Sequence, residues 1–390
     1  MGLADRRRRI VVRTIATMPA LPLARGAALL AGAAASAAHA QSGPDVWDEF
    51  RRRFVTNDGR VLDDDGSTHS EGLGTALIAS AAVADHERFE RIWSVARGLW
   101  RDDGLFSWRV HGGGRVIDAN NATDGDLYIA WALARAAHAF GAPEFLKDAR
   151  RIARAVRAHC IRETRHGPVL VPGRFGFDRG RVVVANPSYW VFPALPSLGA
   201  VDPHPLWRAL ADTALALLAR TQFGRRGLTA DWIEIDHDVR PWRERPARFG
   251  YEAIRVPLFL YWGGHLAHPQ LAAFTRHAAA PAFPAWVALD RDDASPDRAP
   301  PGFEAIARLA RALPAMSRAR LPGVNGSYYS SSLTLLAALA NDDLLVQEQR
   351  QQSAEEQGTA ALTRHAIDPA GPRADAIVPS RLPIPSRTGE

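Results

Sequence analysis

An all-α fold is predicted, a ring or stack of helical hairpins, and three observations predict it. Ala-rich segments with apolar residues at three- and four-residue spacing recur from Gly72 to Leu339. Loops of Gly, Pro and Asp separate them where a parallel α/β sheet would need strands. The segments follow one another in a helix-pair rhythm with no strict sequence repeat, as antiparallel helical pairs do.

In chain order the expected helices are Gly72–Ala84, Phe89–Leu99, Leu127–Phe140, Glu144–His159, Pro205–Thr221, Glu252–Trp262, Pro269–Ala280, Gly302–Leu313 and Tyr328–Leu339. Thr123 or Asp124 offers a helix start, and Gly141 after Phe140 a stop. Two short β-hairpins are expected between helices. Phe106–Val110 and Arg115–Ile117 flank Gly112-Gly113-Gly114, and Val169–Val171 faces Val182–Val184 across Gly-rich residues.

The two ends differ from this body. Arg6 to Arg9 and Arg13 give a basic start, Gly26 to Ala38 a small apolar run, and Ala38-His39-Ala40 a cleavage pattern. Residues 1–40 are expected to be a signal peptide, giving a periplasmic or secreted protein. The run is too short and too rich in Ala and Gly for a stable membrane anchor. Residues 41–345 are then the folded domain, and 346–390, rich in Gln, Glu, Arg and Pro, a disordered tail.

Charge and cysteine narrow the function. Residues 1–40 hold six Arg and one Asp, so of the chain's +6 only about +1 remains after processing. That balance excludes a nucleic-acid binder, which keeps a basic stripe. Cys160 is the only cysteine, so stability must come from the core. It lies in an apolar pattern with Ile152, Ala155 and Val156, where cysteine is inert.

Three acidic segments could carry chemistry, and each has an ordinary reading. Glu71 follows Ser70 at the head of a nearly all-apolar helix, where Ser70 would cap and Glu71 favour the helix dipole. Its functional reading is a carboxyl beside apolar surface, protonated and able to act as a general acid. Asp124 and Asp126 open another helix, either as dipole-stabilised surface groups or with one at the mouth of a ring and one in its wall. No third ligand sits at metal spacing, so neither metal nor cofactor is expected. Glu252 and Arg255 at i and i+3 form a helical ion pair, or the Arg holds a catalytic carboxylate ionised. Eleven Trp is many for this length. Trp108, Trp190, Trp232 and Trp242 lie in or beside loops and could stack on sugar rings, while Trp93, Trp100 and Trp131 on helical faces read as core.

Five blocks in order resemble glycoside hydrolase family 8: Ser70-Glu71-Gly72, Ala122-Thr123-Asp124-Gly125-Asp126 with Ile129-Ala130 beyond, Asn186-Pro187-Ser188-Tyr189, Tyr251-Glu252-Ala253-Ile254-Arg255-Val256-Pro257, and Tyr328-Tyr329-Ser330-Ser331-Ser332. The likeness spans about residues 45 to 340. Asn57–Val61 and Asp231-Trp232 are similar to the endoglucanases of bacterial cellulose-synthesis systems within that family. The resemblance implies an (α/α)6 barrel and hydrolysis of β-1,4-glucan (cellulose) with inversion and no metal. It implies Glu71 as proton donor, Asp124 on the distorted sugar at the cleavage point, and a cleft lined by Arg255 and neighbouring aromatics. Trp108, Tyr189, Trp190, Tyr251 and Tyr329 are the stacking or hydrogen-bonding candidates. A partnership with the cellulose synthase complex follows from the same likeness.

One position departs from the family. Where its general base is commonly Asp, this chain has Glu252, whose extra methylene moves the carboxylate by roughly 1.5 Å. Glu252 is assigned as base, with Asp124 as the alternative. Xylan or chitosan as substrate, or a glycan-binding role without turnover, are the competing expectations.

Overall fold

The computed structural model describes residues 42–111, 114–280, 283–312 and 319–367. The expected signal peptide, Gly112 and Gly113 of the first hairpin, and residues 368–390 lie outside them. The chain divides into two units, residues 1–344 and 345–390.

The first unit is all-α, built of the helical hairpins of an (α/α)6 barrel. Its helices are α1 (Gly43–Phe54), α2 (Ser70–Ala82), α3 (His86–Arg97), α4 (Thr123–Ala139), α5 (Phe145–His159), α6 (Leu195–Val201), α7 (Leu206–Arg220), α8 (Arg255–Trp262), α9 (Pro269–Ala278), α10 (Pro301–Ala312) and the first part of α11 (Tyr328–Ile367). Nearly every residue of α2, α4 and α8 is buried. By contrast α3 and α5 bury one apolar stripe each and carry charge on the other face. All-round hydrophobicity marks the inner helices and amphipathicity the outer ones.

Local signals end the helices as expected in part. Gly141 stands at φ 64° just past α4, the left-handed position that glycine fills without strain. Asp85 caps α3 by accepting a hydrogen bond from Arg88 N at 3.2 Å, worth about 1 kcal/mol. Ser70 does not cap α2: it is already the first helical residue, and its buried hydroxyl has no hydrogen-bond partner among the described residues. Glu252 lies outside α8, in a turn before it, so its pairing with Arg255 is not a contact within a helix. Two helices escaped the sequence reading. In α1 the signal was present as buried Val46, Trp47 and Phe50, and α6 is too short to show a period.

Of the two expected hairpins one forms. β2 (Arg109–Val110) pairs with β3 (Val116–Asp118) in antiparallel register, Arg109 opposite Asp118, and β1 (Thr68–His69) joins β2 on its other edge. The second pairing is corrected. Residues 167–170 form β5 and fold back on β4 (Ile161–Thr164) through the two-residue loop Arg165-His166, with Thr164 opposite Gly167. β6 (Val183–Ala185) instead pairs with β7 (Ile233–Ile235), which pairs with β8 (Val239–Pro241). The immediate turn satisfies β5, so β6 finds a partner distant in sequence. β9 (Arg248–Phe249) pairs with β10 (Val287–Ala288) and leads into the turn before α8.

In the second unit the chain is helical to Ile367, where a tail was expected from 346. Gln, Glu, Ala and Arg are good helix formers even without apolar periodicity. No helix of the described residues is long and apolar enough to cross a membrane.

Candidate active site

Four inner helices begin at one place. Glu71 lies in the first turn of α2, Asp124 in the first turn of α4, Arg255 opens α8, and Tyr328 and Tyr329 open α11. Helix N-termini favour negative charge, which suits carboxyls gathered there. Gly125 permits the crowding: a Cβ on it would stand 2.3 Å from Ser70 Oγ and 2.7 Å from Glu71 N. Only a residue without a side chain lets the heads of α2 and α4 approach so closely.

Arg255 is the hub. Its side chain is 3% exposed, and one nitrogen donates to Glu71 Oε1 at 2.5 Å and to Asp124 Oδ2 at 2.9 Å. The other terminal nitrogen donates to Glu252 Oε2 at 2.7 Å. The fold brings Glu71, Asp124, Glu252 and Arg255 together, although they are up to 184 positions apart.

The three carboxyls differ in partners and exposure. Asp124 is 1% exposed and both its oxygens are taken, Oδ1 accepting from Gly125 N at 2.9 Å. On Glu252, Oε2 also accepts from Asn186 Nδ2 at 3.0 Å, and the charge of Arg245 acts on the same carboxyl. On Glu71, Oε1 meets Arg255. Glu71 and Glu252 are 33% and 26% exposed, so both side chains reach solvent.

One guanidinium cannot balance three carboxylates. Burial first, and then neighbouring carboxylates, raise Glu71 and Asp124 above ordinary carboxyl values against the lowering effect of Arg255. The three groups titrate together, and a proton stays among them. Asp124 is the more deeply buried and the more strongly raised of the two, while Glu71 is the one that reaches solvent.

The aromatic candidates divide. Tyr189 lies under Arg255, its ring centroid 5.5 Å from the guanidinium carbon. Tyr251 is exposed, and Tyr329 donates its hydroxyl to the Tyr251 carbonyl. Trp108 is half-buried, stacked on His69 at 5.5 Å with Arg109 over its other surroundings at 5.8 Å. Trp190 is 2% exposed and offers no open face. Asp126 points into the wall, accepting from Phe106 N at 2.9 Å and Asn121 Nδ2 at 2.6 Å. Burial pushes its carboxyl up to about 7. Cys160 is buried and its thiol raised to about 12, which keeps it unreactive.

Two residues at the site went unselected in the sequence. Asn186 was visible only as part of Asn-Pro-Ser-Tyr; its Oδ1 accepts from Ser188 N and Oγ, which turns Nδ2 toward Glu252. Asp231 was visible only as a neighbour of Trp232. Neither shows its contact locally, because Glu252 is 66 and 21 positions away.

This arrangement can protonate one side of a bond and activate water on the other. The chain matches the family described as Glycosyl hydrolases family 8 over residues 20–343. It belongs to that family. A probable endoglucanase of Novacetimonas hansenii is 37% identical over 329 residues, covering 78% of this chain and 93% of the relative. An endoglucanase of Cellulomonas uda is 30% identical, covering 71% and 79%. The solved endo-β-1,4-glucanase of Acetobacter xylinum superposes with a TM-score of 0.73 at 36% identity, over 77% of this chain and 98% of that one. As a family 8 chain this protein is a glycoside hydrolase. Among its described residues no group of three or more His, Cys, Asp or Glu could hold a metal ion. Between the three carboxyls the cationic position is filled by Arg255.

Proposed function

We propose that this glycoside hydrolase is an endo-β-1,4-glucanase that cleaves cellulose chains with inversion at the anomeric carbon. The observation that carries the reading is the pair of partly exposed carboxyls, Glu71 and Glu252, each tied through one oxygen to the Arg255 guanidinium. Glu71 gives its proton to the leaving glycosidic oxygen as the C1–O bond breaks. Glu252 takes a proton from a water on the opposite face of the ring as that water bonds to C1. Asp124, with both oxygens engaged, is unsuited to activating water and instead fixes the polar floor beneath the sugar at the cleavage point.

The resemblance of both sequence and fold to endoglucanases supports β-1,4-glucan as substrate. Tyr251 and Trp108 supply the accessible aromatic surface beside the acids, and Tyr189, Trp190 and Tyr329 back it. Export to the periplasm or medium rests on the leader pattern of residues 1–40. Service to a cellulose synthase rests on the subgroup likeness at Asn57–Val61 and Asp231-Trp232.

Proton NMR of cello-oligosaccharide cleavage tests the chemistry. The α-anomer is expected first from the β-linked substrate; a β-anomer first would contradict inversion. Glu71→Gln and Glu252→Gln are each expected to lower kcat by about 10²–10⁴. Wild-type protein that binds cello-oligosaccharides and releases no reducing ends would replace hydrolysis with binding.

A further inference from the structure

Glu252 alone of the three acids stands outside a helix. Glu71 and Asp124 stand in helices, whereas Glu252 lies in the turn of residues 250–253 between β9 and α8. Its side chain has one more rotatable bond than Asp, so the position of Oε1 depends on how firmly that turn is held.

Asp231 holds it. One carboxylate oxygen, Oδ1, accepts from three successive parts of the turn: Gly250 N at 2.8 Å, Glu252 N at 3.2 Å and Ala253 N at 2.9 Å. The other, Oδ2, accepts from Arg248 Nε at 3.1 Å. Asp231 N in turn donates to Arg248 O at 2.8 Å. Asp231 is 4% exposed, a costly place for a carboxylate unless donors surround it. Three of those donors are backbone N–H groups of the turn, on Gly250, Glu252 and Ala253, and the Tyr329 hydroxyl pins the Tyr251 carbonyl in the same turn.

We propose that Asp231 is a positioning residue for turnover, fixing the turn so that Glu252 presents its carboxylate at a set height above the sugar. The proposal rests on Glu252 being the base. A misplacement of about 1 Å at a reacting group costs on the order of 10²-fold in rate.

Asp231→Ala is expected to lower kcat about 100-fold with KM within about twofold of wild type. Asp231→Asn keeps an acceptor for the three N–H groups but sets an amide against Arg248, and should lose about tenfold. It serves also if the alanine variant fails to fold. The deciding measurement is the cycle with Glu252→Gln on full-length protein: the residual kcat of Glu252→Gln should fall by less than about threefold when an Asp231 substitution is added. The full loss recurring in that background would show that Asp231 acts on the fold generally, and overturn the proposal. So would single Asp231 variants within about threefold of wild-type kcat. If Glu252→Gln alone retains wild-type kcat, the base assignment itself fails, which the single variant reveals independently.

Discussion

Two carboxylate–guanidinium clusters in the first unit have opposite balances. At Arg255 one cation meets three carboxyls. At Asp202 one carboxylate meets two guanidiniums and an indole. Arg157 Nε donates at 2.7 Å, Arg157 Nη2 at 3.2 Å, Arg154 Nε at 3.4 Å and Trp207 Nε1 at 3.3 Å. Burial alone would raise the Asp202 carboxyl, but the hydrogen bonds from Arg157 and Trp207 outweigh it and hold it below the ordinary value. Around Arg255, burial wins and Glu71 is raised. Asp202 ties α5 to α7 and spends every acceptor on the fold. The Arg255 cluster leaves Glu71 and Glu252 partly exposed, and its Glu71 and Asp124 carboxyls are raised.

Substitutions should separate the two kinds of cluster. Arg255→Met should show the largest effect, removing turnover and costing about 3–5 kcal/mol of stability at neutral pH. Because protonated carboxyls no longer need the guanidinium, that deficit should shrink as pH falls. Urea unfolding at two pH values measures it, and a pH-independent deficit would contradict the surplus of charge. Next, the two clusters should respond in opposite ways to loss of one carboxylate. Glu71→Gln should remove activity while leaving thermal stability equal or higher, because it relieves repulsion. Asp202→Asn should leave kcat unchanged and cost about 1–3 kcal/mol, because buried donors lose their acceptor.

The pH responses should be smaller and of opposite sign. Since Glu71 must be protonated and its value is raised, activity persists below that raised value and declines as pH climbs through it. A decline centred at the ordinary glutamate value would contradict this. Asp202, lowered in the folded state, stabilises above its unfolded value, and that stabilisation is lost as pH falls through the folded one. A pH response of the opposite sign belongs to Asp126. Its folded value of about 7 lies above the ordinary 3.8, so the folded chain binds the extra proton and stability falls as pH rises across that interval. Thermal melts of Asp126→Asn across this range should have a flatter pH dependence than wild type, from a lower starting stability because the Asn121 contact is lost.

The site was partly legible before folding. Ser70-Glu71-Gly72 and Asp124-Gly125-Asp126 stand out as acids heading apolar helices, and Gly125 between the two aspartates is the residue that lets those helix heads meet. Arg255 could be read as a neighbour of Glu252 but not as the common partner of three acids, since Glu71 and Asp124 lie 184 and 131 positions before it. Asn186 and Asp231 gave no local signal of contact with Glu252. The failed hairpin has the same origin: β5 met its need in a two-residue turn, and β6 paired with β7 some fifty residues on.

The sequence by itself determined the all-α class, most of the helices, and the family, because apolar period, helix stops and clustered motifs are local properties. Tertiary structure decided which donors each acid meets and which acids reach solvent. Those depend on donors brought together across the barrel, and a carboxyl's chemistry is set by the donors and charges that surround it in space.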